Sequence, residues 1–461
     1  MKKLKLVFFV VVVLSVLLSA CGSPATSAPA APAAATSAPA APAAAATSAP
    51  AAPAAAGGKV TITYWSMWNE SEPQADVLKG WMADFTKANP NVTFNVTWAG
   101  RQVLTKLQTA ISAGQTVDLV DMEGPALRGG LVIKGQTVPM DKYLNQPLPG
   151  ESAPWKSIFV PGTLTKLAAD DGSLHIIPYE LLTTAIWYDQ RTFDKYKVQP
   201  PATWDDLMSI CSTMKAADFP LFTVEGNGDT YAAMWFYTLI ERMEGPGTLL
   251  KAAQDKTGAL WDDPNFLKAA QLERSLWDNG CVIKGGEGLQ WPAGQMALAN
   301  GQAGAELVGS WLPNEVKASV DPGFTWRSFM VPNVPGGVGK STDVEDYPLG
   351  WVILKSSTNP DVVASFLEMS MSKAHSQQID DVAVNLSARA DTTPPTALKD
   401  VYTAYNNATA LFLPYDGTNS TLPDWFPTLM KYHLQMFTGQ ITPQVFIADM
   451  KQATIDYWKT H

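Results

Sequence analysis

The sequence has few cysteines, few histidines and an excess of acidic over basic residues, and each property disfavours a class of function. Its 461 residues include 3 cysteines and 4 histidines, and the histidines are scattered. We therefore predict no metal site and no cofactor. The formal net charge of −10 does not suit the phosphate backbone, so no nucleic-acid partner is predicted. Cys211 and Cys281 lie in the main part of the chain, where a disulfide and two free thiols are both compatible with the sequence.

Residues 1–20 have the pattern of a secretory signal peptide. Three lysines form a basic start, and residues 6–18 are almost entirely apolar but too few to span a membrane comfortably. The segment leads into Leu-Ser-Ala-Cys, which resembles the lipobox of bacterial lipoproteins. That resemblance implies cleavage before Cys21 and lipidation of this cysteine. The alternative is an ordinary secretory signal that happens to contain a cysteine.

The segment 21–58 is predicted to be a tether that follows the lipidated Cys21. It contains three near-copies of SAPAAPAAAT and ends in two glycines. Small residues and proline provide too little apolar surface to offset chain entropy, and proline makes such a linker stiffer than a Gly/Ser linker. After the leader, no apolar run in the sequence approaches membrane-spanning length. We expect a folded part held near the outer face of a membrane by its lipid.

The start of the folded part alternates between strand and helix patterns. The stretches KVTITYW, VTFNVTW and TVDLVDM read as strands, with helices between them. The first helix is predicted from an apolar stripe made by Val77, Leu78, Trp81, Met82 and Phe85. This order predicts a largely parallel sheet covered by helices, with ligands beyond the carboxyl ends of its strands. Period-two alternation assigns Tyr64 to the core and places Trp65 on the opposite face.

The length of the folded part predicts two lobes, because about 400 residues exceed what one hydrophobic core normally organises. The chain has 16 tryptophans, more than packing usually requires, and tryptophan is enriched in binding surfaces.

The order and spacing of several stretches resemble the extracellular solute-binding proteins of bacterial ABC sugar importers, the family that includes maltose-binding protein. The stretches, spread over residues 59–461, include ITYWSMW, LQTAISAGQTVDLVDM, DGSLHIIPYELLTTAIWYDQ, GQMALANGQAGAELVGSW and PLGWVILKSSTNP. The resemblance implies an α/β, two-lobe periplasmic-binding-protein-like fold with a hinge, each lobe a mostly parallel sheet flanked by helices. The implied lobes are 59–179 with 352–410 and 180–347 with 416–461, and the implied crossover segments lie near 179–184, 347–352 and 411–416.

A site for sugar needs two kinds of side chain. Aromatic rings stack on the apolar face of a sugar ring, and carboxylates, amides and arginine meet its hydroxyls. The family's Gly-x-Trp places an aromatic ring under the sugar, and Gly309 and Trp311 match that motif. For each candidate the alternative is a core aromatic or a solvated surface charge. The other candidate ligand contacts are Trp65, Trp68, Asn69, Glu70, Asp121, Glu123, Glu180, Asp229, Tyr231, Trp351, Arg389 and Trp425.

The resemblance implies a monomeric, non-enzymatic binding lipoprotein, anchored to the outer face of the cell membrane through Cys21. It would capture an oligosaccharide between its lobes and deliver it to the permease subunits of an ABC importer. A secreted glycoside hydrolase is one alternative, and it would need two carboxyl groups about 5–9 Å apart around one bond. A carrier for a non-sugar solute is the other.

Overall fold

The structure is a computed structural model that describes residues 58–226 and 229–461, without the side chain of Asp229. Cys21, the signal peptide and nearly all of the tether lie outside the described residues. The strands are β1 (Val60–Ser66), β2 (Val92–Trp98), β3 (Leu119–Glu123), β4 (Ile177–Leu182), β5 (Thr184–Asp189), β6 (Phe222–Thr223), β7 (Ala305–Gly309), β8 (Trp326–Phe329), β9 (Asp343–Glu345), β10 (Tyr347–Ile353), β11 (Leu386–Ser387) and β12 (Ala410–Phe412).

The α-helices cover both sheets and fill the connections between strands. They are α1 (Pro73–Ala88), α2 (Val103–Ser112), α3 (Gly124–Leu127), α4 (Asp141–Leu144), α5 (Thr163–Lys166), α6 (Gln190–Tyr196), α7 (Trp204–Ala216), α8 (Asp229–Ala232), α9 (Met234–Glu244), α10 (Thr248–Gln254), α11 (Pro264–Asp278), α12 (Ala293–Ala299), α13 (Leu312–Glu315), α14 (Pro360–Ser370), α15 (Lys373–Gln378), α16 (Lys399–Asn406), α17 (Thr418–Thr421), α18 (Phe426–Phe437) and α19 (Pro443–Trp458). In the described part of the chain, no helix combines the length and the apolar character that crossing a membrane requires.

The first lobe is built on a six-stranded sheet in the order β11-β4-β10-β3-β1-β2. Its first half follows the predicted β-α-β-α-β pattern: β1 pairs in parallel with β2 and with β3. Tyr64 is fully buried, as the alternation predicted. The apolar stripe of α1 is buried too, which confirms the helix expected between the first two strands.

The sheets are mixed, which corrects the expectation of mostly parallel sheets. Strand β10 inserts between β3 and β4 and is antiparallel to both. It runs against them because the chain re-enters the first sheet from the second lobe. In the second lobe the order is β6-β7-β5-β8, and β5 is antiparallel to both of its neighbours. Two largely separate hydrophobic clusters accompany the two sheets.

A disulfide in the second lobe resolves the alternative that the sequence left open. Cys211 of α7 is bonded to Cys281, 70 residues later in the chain. Both residues are buried in the second hydrophobic cluster. The bond therefore ties α7 to the segment that runs beside β6, where Phe222 forms a bridge with Val282.

The two sheets are connected through short segments that lie side by side. Strand β4 ends at Leu182 and β5 begins at Thr184 in the other sheet. Beside this crossing, β9 and β12 form a two-stranded parallel sheet. Thr184 Oγ1 donates to Glu345 Oε1 at 2.8 Å, and the hydroxyl of Tyr405 donates to the Leu182 carbonyl at 2.6 Å. These segments form the hinge between the lobes.

Candidate functional site

Trp311 occupies the end of strand β7, where the chain turns into α13. The preceding Gly309 makes room for its indole: a Cβ atom at residue 309 would lie 2.0 Å from Cζ3 of Trp311. A van der Waals contact needs about 3.4 Å or more, so any larger residue would push the ring away. The Gly-x-Trp pattern therefore has a direct steric cause, since the ring lies back across the glycine. Trp311 remains partly exposed.

Two tyrosine rings contact the Trp311 ring in near-perpendicular arrangements. The Tyr231 ring of α8 lies 5.9 Å away at an interplanar angle of 80°, and the Tyr347 ring of β10 lies 6.3 Å away at 78°. Edge-to-face contacts of this kind fix a ring's orientation without stacking on its face. Tyr231 was among the candidates from the sequence, whereas Tyr347 was not. The hinge strand β10 thus contributes an aromatic side chain to the site.

The first lobe contributes Trp68, which follows β1. Its indole Nε1 donates to the Tyr179 hydroxyl at 2.8 Å, and the Arg101 guanidinium lies 4.5 Å from the ring centroid. Arg101 also donates to both oxygens of Glu72, at 2.7 and 3.1 Å, and to the Met67 carbonyl at 2.8 Å. A guanidinium held by a bidentate carboxylate and an aromatic face is well fixed in position. No motif in the sequence marked Arg101.

Two of the predicted carboxylates, Asp121 and Glu180, are fully buried. Asp121 accepts hydrogen bonds from the Tyr179 hydroxyl at 2.9 Å and the Met67 amide at 3.3 Å, while burial raises its pKa to about 6. Glu180 accepts from Asn385 at 2.6 Å, and burial raises its pKa to about 8. Both carboxyls are therefore buried, hydrogen-bonded groups in this structure and are not exposed to a ligand.

The Arg101 charge influences the pKa values of Glu123 in the first lobe and Glu315 in the second. Burial raises the pKa of Glu123, at the end of β3, while Tyr347 and the Arg101 charge partly oppose the rise. Glu315, at the end of α13, is exposed toward solvent. The surrounding protein nevertheless raises its pKa, and Gln295, Trp291 and Arg101 oppose that rise. The Arg101 charge thus opposes the rise in the pKa of one carboxyl from each lobe.

A group of mutually interacting carboxyls on the second lobe was not predicted from the sequence. The Glu225 carboxyl accepts a hydrogen bond of 2.9 Å from the backbone amide of Gln295, at the start of α12. Glu306 of β7 is 1% exposed, and neither of its carboxyl oxygens has a hydrogen-bond partner. Burial, and then the neighbouring Glu225 and Glu315, raise the pKa of Glu306 well above its ordinary value. Burial therefore disfavours the ionised form of the Glu306 carboxyl.

Two tryptophans expected to stack on ligand are instead core residues, and that prediction is wrong. Trp351 is fully buried in β10, donates to the Tyr64 hydroxyl at 3.0 Å and packs 4.2 Å from the Tyr179 ring. Trp425 is also fully buried, and its indole donates to Thr454 at 3.3 Å. Neither ring has a face available to a ligand.

Arg389 is likewise a structural residue rather than a ligand contact. Its side chain is almost entirely buried and forms ion pairs with Glu151 at 2.6 Å and with Asp391 at 2.5 Å. It also donates to the Met371 carbonyl at 3.0 Å. Partners on several sides of the guanidinium account for its position, so the prediction that it binds ligand is corrected.

The remaining candidates are dispersed. Trp65 is half-buried and packs against the first hydrophobic cluster. Asn69 and Glu70 are exposed, and Glu70 lies 3.8 Å from Lys79 in a surface ion pair. Asp229 begins α8, but its side chain is not among the described ones. The structure therefore brings together Tyr231, Trp311 and Tyr347 as one ring cluster. Trp68 is 5% exposed and lies between Arg101 and Tyr179 in the first lobe.

Solved structures with the same architecture define the class of fold. A chitin oligosaccharide binding protein aligns with 87% of this chain and 99% of its own chain, with a TM-score of 0.72 and 19% identity. This likeness establishes the two-lobe solute-binding fold. A model of the family described as bacterial extracellular solute-binding protein matches residues 69–375. The chain belongs to this family, which confirms the resemblance found in the sequence.

Curated relatives match part of the chain. A Brucella abortus sequence whose name describes it as a binding protein is 29% identical over 273 residues, which are 57% of this chain and 61% of the relative. A diacetylchitobiose binding protein of Streptomyces coelicolor is 24% identical over 223 residues, 48% of this chain and 46% of the relative. The chain therefore spans less than two thirds of the length of these relatives.

Proposed function

We propose that this protein is the substrate-binding lipoprotein of an ABC importer and that it captures an oligosaccharide between its two lobes. The observation that carries the proposal is the Trp311 ring, which lies across Gly309, is partly exposed, and makes near-perpendicular contacts with Tyr231 of the second lobe and Tyr347 of the first-lobe sheet. A fixed aromatic face beside carboxylates suits the apolar face and the hydroxyl rim of a sugar ring. Family membership and the sugar ligands in the names of its relatives support the same assignment.

Binding is proposed to close the lobes about the hinge. A ligand that contacts both lobes binds the closed form more tightly than the open form, and this difference in affinity drives closure. Tyr347 of the first-lobe sheet already contacts Trp311 of the second lobe, with ring centroids 6.3 Å apart. The closed, loaded monomer would then present the sugar to permease subunits in the membrane.

The proposed lipid anchor and the ligand-binding lobes are separate parts of the chain. Cys21 would carry the lipid, and the tether 21–58 would hold the two lobes, 59–179 with 352–410 and 180–347 with 416–461, outside the cytoplasm. The Leu-Ser-Ala-Cys motif and the preceding apolar run support this arrangement. The protein is proposed to carry out no chemistry on the sugar.

A ligand screen tests the proposal. Melting temperature would be measured with di- to hexasaccharides derived from chitin, xylan and starch, and with raffinose. A sugar present at 100 times its dissociation constant should stabilise the folded protein by about 2.7 kcal/mol. Trp311→Ala should reduce this stabilisation to about 1 kcal/mol or less. The absence of any shift across the panel would refute the sugar assignment, and the appearance of new reducing ends during incubation would refute the absence of catalysis.

A further inference from the structure

Two carboxyls of the second lobe, Glu225 and Glu306, face the start of α12 from the same side of the sheet. Thr223 is the register partner of Glu306 on the neighbouring strand, so both side chains lie on one face. The Thr223 hydroxyl donates to the Gly294 carbonyl at 3.1 Å, which places α12 on that face. The Glu225 carboxyl accepts from the backbone amide of Gln295, the next residue of α12, at 2.9 Å. Strand register and hydrogen bonds therefore place both carboxyls against one helix.

This carboxyl pair is buried and has more acceptors than donors around it. Glu306 is 1% exposed and Glu225 is 3% exposed. Among the described residues, neither carboxyl oxygen of Glu306 has a hydrogen-bond partner, and Oε2 of Glu225 has none either. Buried polar groups are normally paired, so acceptor oxygens left over in one place call for a group that donates hydrogen bonds. The carboxyl pair is therefore suited to a guest rich in donors.

An ammonium group matches these acceptors in charge and in hydrogen bonding. It carries three donors and one positive charge on a single nitrogen. In the part of the chain that the structure describes, no three His, Cys, Asp or Glu side chains are arranged to hold a metal ion. Burial raises the pKa of Glu306 well above its ordinary value, and a neighbouring positive charge would favour the ionised form that burial disfavours. An organic cation therefore suits the carboxyl pair better than a metal ion does.

The carboxyl pair lies in the same part of the second lobe as Trp311. Glu306 and Gly309 belong to the same strand, β7, and are about 10 Å apart along it. The Trp311 ring lies back across Gly309. Tyr231, which follows Glu225 by six residues in the chain, contacts the Trp311 ring at 5.9 Å. Both rings are partly exposed, so a ligand on Trp311 would lie close to the carboxyl pair.

We propose that Glu225 and Glu306 bind a protonated amino group of the ligand, so that the protein takes an amino sugar rather than a wholly neutral oligosaccharide. This inference rests on the proposed function. The ammonium group would donate to the oxygens of both carboxyls that are left without partners, and its charge would offset the cost of burying them. An N-acetyl group carries no charge and a single donor, so it should be accepted less well at this position.

Paired ligands test the inference. Affinity would be measured by titration calorimetry for oligomers of glucosamine and of N-acetylglucosamine with the same linkage, each from two to five units, at about pH 6, where an amino group is protonated. The wild type should bind the free-amine series about tenfold or more tightly than the acetylated series. Glu306→Gln should remove most of this preference and leave the affinity for the acetylated series unchanged.

Control variants separate the carboxyl pair from a general effect of charge. Glu241→Gln makes the same change at a fully buried carboxyl on α9 of the same lobe, and it should keep the preference. Glu306→Asp retains a carboxyl and should retain part of the preference. Glu225→Gln should also reduce the preference, which provides a second test if Glu306→Gln does not fold. The melting temperature of each variant without ligand would establish that it is folded.

Three results would overturn the inference and leave the proposed function standing. The first is equal affinity for the two series, or tighter binding of the acetylated one. The second is a preference for free amines that survives in both Glu306→Gln and Glu225→Gln, because an acidic protein attracts any polycation. The third is binding confined to sugars without nitrogen, such as xylose oligomers or raffinose. Failure of all these sugars to bind the wild type would refute the proposed function and the inference with it.

Discussion

Replacing Gly309 by alanine should disable the Trp311 platform without altering the tryptophan itself. A Cβ at residue 309 would lie 2.0, 2.2 and 2.3 Å from three atoms of the Trp311 ring, more than 1 Å inside an ordinary contact of about 3.4 Å. The backbone of Gly309 is not in the left-handed region, so alanine is accommodated there apart from this clash. The ring must move, and β7 is expected to stay in place.

The magnitude follows from the loss of an aromatic anchor. Truncating such an anchor in a desolvated site typically costs about 2 kcal/mol or more, which is roughly a thirtyfold loss of affinity. Gly309→Ala should approach the effect of Trp311→Ala, because a ring displaced by more than about 1 Å no longer matches the sugar face. Stability without ligand should change little, since Trp311 is partly exposed.

A double-mutant cycle provides the assay. Affinity would be measured by calorimetry for Gly309→Ala, Trp311→Ala and the double variant, and stability by denaturant unfolding. If the alanine acts through the ring, the double variant should bind no more weakly than Trp311→Ala alone. Gly80→Ala is the matched control, because a Cβ at this exposed position on α1 meets no atom within 4 Å. It should leave affinity unchanged. Wild-type affinity in Gly309→Ala, or fully additive losses, would refute the reasoning.

Three further predictions concern stability and location. Burial raises the pKa of Glu345 to about 7 and of Glu180 to about 8, so the folded state binds these protons more tightly than the unfolded state. The free energy of unfolding should fall as pH rises from about 4.5 to 8, by about 3 kcal/mol at most for Glu345. The Glu345→Gln variant should show a weaker pH dependence. A melting temperature no higher at pH 5 than at pH 8 would contradict this prediction. Replacing both Cys211 and Cys281 by serine should lower the free energy of unfolding by about 4 kcal/mol, because the disulfide closes a long loop; unchanged denaturant unfolding would argue against that bond. Cys21→Ala should leave sugar affinity intact and release the protein from membranes, and a variant that stays in the membrane fraction after a salt wash would exclude the lipid anchor.

The sequence by itself determined the family and the first strands and helix, and the family resemblance pointed to Gly309 and Trp311 as a candidate ligand contact. These features depend on short-range patterns. Alternation fixes which side of β1 faces the core, the spacing of the apolar residues fixes the buried face of α1, and Gly309 precedes its tryptophan by only two residues. Side-chain period and local sterics suffice for such features.

Only the tertiary structure decided which aromatics and charges reach the site. Trp351 and Trp311 each lie close after a glycine at a strand, yet Trp351 is covered by Trp81 of α1, 5.8 Å away and 270 residues earlier in the chain. Trp311 lies past the end of its strand and stays partly open. The Cys211–Cys281 bond and the position of Arg101 beside Trp68 likewise depend on segments distant in sequence. The periodicity of a sequence predicts which face of a helix or strand is apolar. It does not predict which element packs on that face, because burial depends on contacts between residues far apart in sequence.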